Sequence, residues 1–301
     1  MAKHTDKPLY APSFWPTWLG VSVFWLLGQL PWNLLLALGR GTGHLAWFLL
    51  KRRRHIAETN IRLCFPELSR ERQQALARAN IVSTGEALLE MAGSYFNRRV
   101  NLGKRLEIIG RERVDAVLAQ GQGVILLGMH FNSIDVGSRL LGEVMDFNAV
   151  YRPNDNPVMD WVINHGRGQN IHNIPRHDLR QMVRRLKKGE VVWYAPDQDY
   201  GTEHAAFVPF FGQPAATITT TSRLARMGNA RVIPCAHYRF KGGRYQIIFG
   251  EPLDNFPSDD EVADTARINR TIEAAVREHP EQYLWVHRRF KHQPDGRKGP
   301  Y

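Results

Sequence analysis

A chain of 301 residues can bury one substantial core, or a core with a small appendage, so one catalytic domain is the default reading. Hydrophobic residues make up 43% and charged residues 23% of it, which excludes a disordered or low-complexity protein. The 40 Lys and Arg against 29 Asp and Glu give +11, a field that attracts nucleic acid, anionic lipid or an acidic carrier protein; no zinc-finger, ribonucleoprotein or basic-leucine pattern supplies a docking geometry for nucleic acid, which is therefore not an expected partner.

The first segment in chain order is apolar. No charged side chain lies between Lys7 and Arg40, and residues 14–36 are long enough for one membrane-spanning helix, with Trp15, Trp18 and Trp32 as interfacial aromatics. Pro31 interrupts that pattern and leaves a second reading, a short helix ending near Leu30 and another over 32–50 lying along the membrane. Large side chains continue through Leu34-Leu35-Leu36, against a cleaved signal peptide. The cluster Lys51-Arg52-Arg53-Arg54 then follows the positive-inside bias and places the remainder on the cytoplasmic side. The expected organisation is a membrane-anchoring segment over 1–50 and a catalytic domain over 51–301.

Past residue 55 helical and strand-like segments alternate, as in an α/β fold with a mostly parallel central sheet flanked by helices. Ser69 can cap a helix running to about Phe96. The run Gly123 to Met129 carries no polar side chain and suits a strand covered on both faces. Glu190 to Ala195 reads similarly, with further strands expected over 231–238 and 245–249, and helices over 136–145, 158–166, 178–188, 217–227 and 259–279. The two cysteines, Cys64 and Cys235, are expected as small core residues rather than nucleophiles.

The chemistry gathers at strand ends. His130 closes the 123–129 run, and Asp135 follows five positions later in His130-Phe-Asn-Ser-Ile-Asp135. That spacing alone is common, but reactive groups collect at the carboxyl ends of strands in open α/β sheets. On one helix five residues would separate the side chains by about 140°. The pair must therefore straddle a turn, with Asp135 reaching back to one imidazole nitrogen and leaving the other to accept a proton. The bland reading has His130 satisfying a loop carbonyl and Asp135 capping its helix.

Arg152, in the proline-fixed loop Tyr151 to Pro157, is a candidate anion clamp, as is Arg167 between Gly166 and Gly168; either can equally be a surface cation. Asp197 and Asp199 follow the 190–195 strand. They lack a third obvious ligand, so carboxylates bracing the arginines are a simpler reading than a metal site. No Gly-x-Ser-x-Gly elbow, phosphate-binding loop or His-Glu-x-x-His site occurs, and no cofactor is expected.

These blocks, together with Asn60 to Pro66, Leu186 to Gly201 and Pro280 to Lys291, resemble the late acyltransferases of lipid A biosynthesis, within the wider lysophospholipid acyltransferase group. The similarity runs over nearly the whole chain. It implies acyl transfer from an acyl carrier protein to a hydroxyl on an acyl chain of Kdo-modified lipid IVA, at the inner face of the bacterial inner membrane. It also implies His130 as general base and Asp135 as its orienting acid, with Arg167 and Asp197 as further site residues. Lauroyl is the commonest acyl group expected, followed by palmitoleoyl and myristoyl. One departure is Asp at position 135, where close relatives often carry Glu; Asp is the usual acid of the wider group. The rivals are a glycerophospholipid acyltransferase with the same dyad and a basic membrane-surface or nucleic-acid binding protein in which the dyad is structural.

Overall fold

The computed structural model describes residues 8–97, 99–168 and 170–301. Its N-terminal apolar segment is two helices, α1 (Trp15–Gly28) and α2 (Trp32–Leu49), separated at Pro31, which stands at the N-cap of α2. Proline lacks the N–H that a continuous helix would need there. Among the described residues no helix is long and apolar enough to cross a membrane, so the expected spanning helix over 14–36 is replaced by the two-helix alternative.

The basic cluster opens α3 (Lys51–Cys64), and Ser69 caps α4 (Arg70–Phe96) by accepting the Arg72 N–H at 3.4 Å. Helix α2 lies close against α4 because glycines line the crossing. A Cβ on Gly43 would stand 2.6 Å from the Val82 Cα, and one on Gly85 would stand 2.5 Å from Gly43. Helix α4 is tied to the sheet by a buried network in which Arg239 meets Glu90 at 2.6 Å and Glu86 at 2.8 Å, while Tyr245 donates to Glu90.

Beyond α4 the elements alternate: β1 (Leu106–Ile109), α5 (Arg111–Ala119), β2 (Gly123–Leu127), α6 (Ile134–Val144), β3 (Phe147–Tyr151), α7 (Pro157–Gly166), β4 (Ile171–Pro175), α8 (Leu179–Lys187) and β5 (Val191–Tyr194). A hairpin of β6 (Ala205–Phe210) and β7 (Gln213–Ile218) follows, then α9 (Thr220–Gly228), β8 (Ala230–Phe240), β9 (Arg244–Phe249) and α10 (Glu261–Glu278). Among the described residues seven strands form one sheet, ordered β1-β9-β8-β2-β5-β3-β4 and parallel throughout except for the β8–β9 pair. The expected fold class is thus observed. The helix expected from residue 217 begins at Thr220, because 217 and 218 still pair in the β6–β7 hairpin.

Strand β2 explains the apolar run. Val124 and Leu126 face one core with Trp32, Leu140 and Ile233, while Ile125 and Leu127 face another with Met182, Leu224 and Trp285. A strand buried on both faces tolerates no polar side chain, and it fixes the height of whatever leaves its carboxyl end.

Candidate active site

Strands β2 and β5 are parallel neighbours, with Leu127 opposite Tyr194. His130 and Asp197 each lie three residues past that registered pair, so the ladder itself brings them face to face. The Asp197 carboxylate accepts the His130 backbone N–H at 2.8 Å through one oxygen and meets its Nδ1 at 2.6 Å through the other. Asp197 is fully buried as a side chain, while 19% of the His130 side chain is exposed.

Burial alone would raise the Asp197 carboxyl, but the charge of His130 and the two hydrogen bonds from that residue outweigh it and hold the pKa down at about 2. An ionised carboxylate only accepts hydrogen bonds, so Nδ1 carries the proton. Nε2 is then the basic nitrogen, and among the described residues no hydrogen bond reaches it. Trp193 packs edge-on to the imidazole at 6.2 Å between ring centroids. Gly128 makes room for that indole, since a Cβ there would lie 2.2 Å from it.

Asp135 stands elsewhere. His130 and Asp135 do straddle a turn, with Asp135 in the first turn of α6, but its carboxylate accepts the Tyr95 hydroxyl and lies 3.8 Å from Arg167. The expected bond from Asp135 to the imidazole is therefore corrected: Nδ1 is already filled by the acid from the adjacent strand. Tyr95 and Arg167 border a cavity of about 310 Å³ that also meets Arg139 and Asn170. Gly166 permits this approach, because a Cβ on it would lie 2.6 Å from the Tyr95 ring. The two acids thus hold one imidazole and one guanidinium.

A family model described as bacterial lipid A biosynthesis acyltransferase matches residues 2–292. The chain belongs to this family. It is 42% identical over 291 residues to the lipid A biosynthesis lauroyltransferase of Escherichia coli, covering 96% of this chain and 95% of that protein. The palmitoleoyltransferase of the same organism is 38% identical over 295 residues, with 96% and 95% covered, and the myristoyltransferase 30% identical over 306 residues, with 98% and 93% covered. An O-acyltransferase acting on a lipid A precursor follows from that membership, and a structural role for a lone dyad in a non-catalytic protein does not.

The remaining candidate residues of this acyltransferase are distributed differently from the expectation. Arg152 is 63% exposed as a side chain and pairs at 3.0 Å with Asp155 in its own loop, with no described contact to His130, Asp197 or Arg167. The acid three residues along its own loop is its partner. Among the described residues neither acid after β5 braces an arginine: Asp197 holds His130 and Asp199 holds His292, each through the ring Nδ1 at 2.6 Å. Among the described residues no group of three His, Cys, Asp or Glu side chains is placed to hold a metal ion. Cys64 and Cys235 are buried, and burial pushes the Cys235 thiol up to about 12.

Sequence reasoning missed Tyr95, Trp193, His287 and His292 as neighbours of the site. His287 accepts the Asp199 backbone N–H at 3.1 Å through Nε2, and burial lowers its pKa to about 4. The available signal was register: the runs ending at Leu127 and Tyr194 reach His130 and Asp197 at equal offsets.

Proposed function

We propose that the protein transfers a fatty acyl group, lauroyl foremost, from acyl carrier protein to a hydroxyl on an acyl chain of Kdo-modified lipid IVA, at the cytoplasmic face of the bacterial inner membrane. The observation that carries the proposal is the imidazole of His130, fixed through Nδ1 by an ionised buried carboxylate and presenting Nε2 at the sheet edge.

In the step this geometry supports, Nε2 takes the proton from the acceptor hydroxyl as its oxygen attacks the thioester carbonyl. The tetrahedral intermediate collapses with cleavage of the C–S bond, and the departing thiolate recovers the proton from the imidazolium. An ester forms, a thiol is released and the base returns to its starting state. No acyl-enzyme is required. Arg167, paired with Asp135, is a candidate for holding an anionic group of the acceptor beside the base.

A lipid acceptor must reach that base from a bilayer. Trp15, Leu19, Trp25 and Leu26 of α1 and Leu45, Phe48 and Leu49 of α2 are at least half exposed, and Lys51 to Arg54 follow directly. Helices of this kind lie in one leaflet with their cations at anionic headgroups. Thr17 accepts a hydrogen bond from Asn156 at 2.9 Å, and Trp18 packs on Trp161 at 5.8 Å, so α1 adjoins α7 just past the carboxyl end of β3. The apolar helices and His130 therefore share one edge of the sheet. Residues 1–50 act, in this reading, as the membrane attachment, and the +11 charge favours both anionic lipid and an acidic carrier.

The preference for lauroyl rests on the 42% identity to the lauroyltransferase, against 38% and 30% for the palmitoleoyl and myristoyl enzymes. The test offers the purified protein lauroyl, palmitoleoyl and myristoyl carrier-protein thioesters, each with Kdo-modified lipid IVA or with lysophosphatidic acid. A product mass showing one added lauroyl group on the first acceptor is expected; acylation confined to the glycerophospholipid would replace the proposal with its nearest rival.

A further inference from the structure

The loop after β5 carries a second acid–imidazole pair built like the first. Asp199 accepts the His292 backbone N–H at 2.9 Å through one oxygen and meets its Nδ1 at 2.6 Å through the other. The corresponding distances in the Asp197–His130 pair are 2.8 and 2.6 Å. Both carboxylates are fully buried as side chains, while their histidines are 19% and 33% exposed. Only Gln198 separates the acids, so their backbones are at most about 7 Å apart along the chain.

Residues 195–204 contain neither helix nor strand, so the ladder that delivers Asp197 beside His130 ends three residues short of it, at Tyr194. Past that point the loop is held by the C-terminal segment. Tyr283 donates to the Asp197 carbonyl at 3.3 Å, and His287 accepts the Asp199 N–H. Leu284 donates to the His130 carbonyl at 2.9 Å, and Asn132 donates to the Gln282 carbonyl at 2.7 Å. That segment is itself anchored, with Asn60 donating to the carbonyls of Trp285 and His287 at 2.6 and 2.7 Å and the buried Arg289 donating to Ala216 and Thr217. His292 is the last link, the point at which the strap returns to the acid loop.

We infer that Asp199 and His292 are positioning residues: their pair clamps the C-terminal strap to the acid loop and so sets where Asp197 meets the His130 imidazole. The inference rests on His130 being the base of the proposed reaction. Loss of the clamp takes the imidazole and the strap from the Asp199 carboxylate, which keeps the Gly201 N–H at 3.1 Å, and through two residues of backbone lets Asp197 drift from Nδ1. A displacement on the ångström scale is enough to cost a catalytic step up to about 100-fold.

The test compares the full-length wild type with His292→Ala and His292→Asn, whose amide nitrogen can donate to Asp199 in place of Nδ1–H. Two readouts are taken: acyl-transfer kinetics, and the NMR resonance of the His130 Nδ1 proton in the substrate-free protein. His292→Ala is expected to lower kcat between about 10- and 100-fold with KM nearly unchanged and to shift the Nδ1 resonance upfield; His292→Asn restores most of both. Wild-type kcat with an unmoved resonance in His292→Ala overturns the inference, and so does a His292→Asn variant as impaired as His292→Ala. Should His292→Ala fail to fold, His292→Asn decides: a near-native resonance and kcat support the clamp, and their loss refutes it. Because the resonance needs no substrate, it judges the clamp even where no acyl transfer is found.

Discussion

His130 and Asp135 are neighbours in sequence, yet the imidazole is held by an acid 67 positions away. Register produces this result: two parallel strands in contact deliver residues at equal offsets to the same place, whereas Asp135 leaves with α6 toward Tyr95 and Arg167. The two carboxylates should therefore fail differently when changed. Asp197→Asn leaves a neutral group on Nδ1, and kcat should fall on the order of 10²–10⁴-fold, the size of a general-base contribution. Asp135→Asn removes the charged partner of Arg167, so its main effect should appear in KM for the acceptor. Steady-state kinetics of the two variants separate these outcomes, and a larger kcat loss from Asp135→Asn would reverse the assignment. His130 itself was legible in the sequence, because a histidine closing a wholly apolar run stands at a strand end. Its partner was not: one-dimensional spacing favours the nearby acid, and only the strand order shows which distant acid comes alongside.

At the scale of elements, the strands buried on both faces were the most legible feature. Uniformly apolar runs such as 123–127 leave no alternative, and the 191–194 strand follows the same logic. Strands β1 and β4 and the β6–β7 hairpin were not legible, being short, partly exposed and mixed in polarity. The N-terminal helices show how one residue decides between readings, since Pro31 turns a single span into a pair packed on α4. Their close crossing depends on the absence of side chains at Gly39, Gly43 and Gly85. Gly43→Val should force α2 away from Val82 and destabilise the protein by about 1–3 kcal/mol, the cost of overpacking. Chemical denaturation reads that loss, and an unchanged midpoint would show that the crossing has slack.

For the whole molecule, two buried histidines set the response to acid. Burial lowers His237 to about 4, with the charge of His130 adding to it, and lowers His287 to about 4 as well. In the unfolded chain each binds its proton near pH 6.5. Stability should accordingly be full above 6.5 and decline as the pH falls toward 4, because the unfolded state takes up protons there that the fold excludes. Asp197 works in a lower window: its contribution is intact above about 3.8 and is lost as the pH falls through about 2. Denaturation midpoints measured across this range should decline from 6.5 downward, and a flat profile to pH 4 would contradict the burial of the two neutral rings.

The exposed apolar face of α1 carries the other expectation at this scale. Replacing Leu19 and Leu26 together with Glu should abolish sedimentation with anionic vesicles while leaving the fold intact, and vesicle binding at the wild-type level would remove α1 from the membrane.

In the proposed reaction the Nε2 of His130 takes the acceptor's proton. Mass spectrometry of the lipid product formed by His130→Ala, with circular dichroism confirming the fold and vesicle binding unchanged, addresses it most directly. Acyl transfer at least about 100-fold below wild type is the outcome the account requires; a folded, membrane-bound variant that still acylates the lipid A precursor at near the wild-type rate would contradict it.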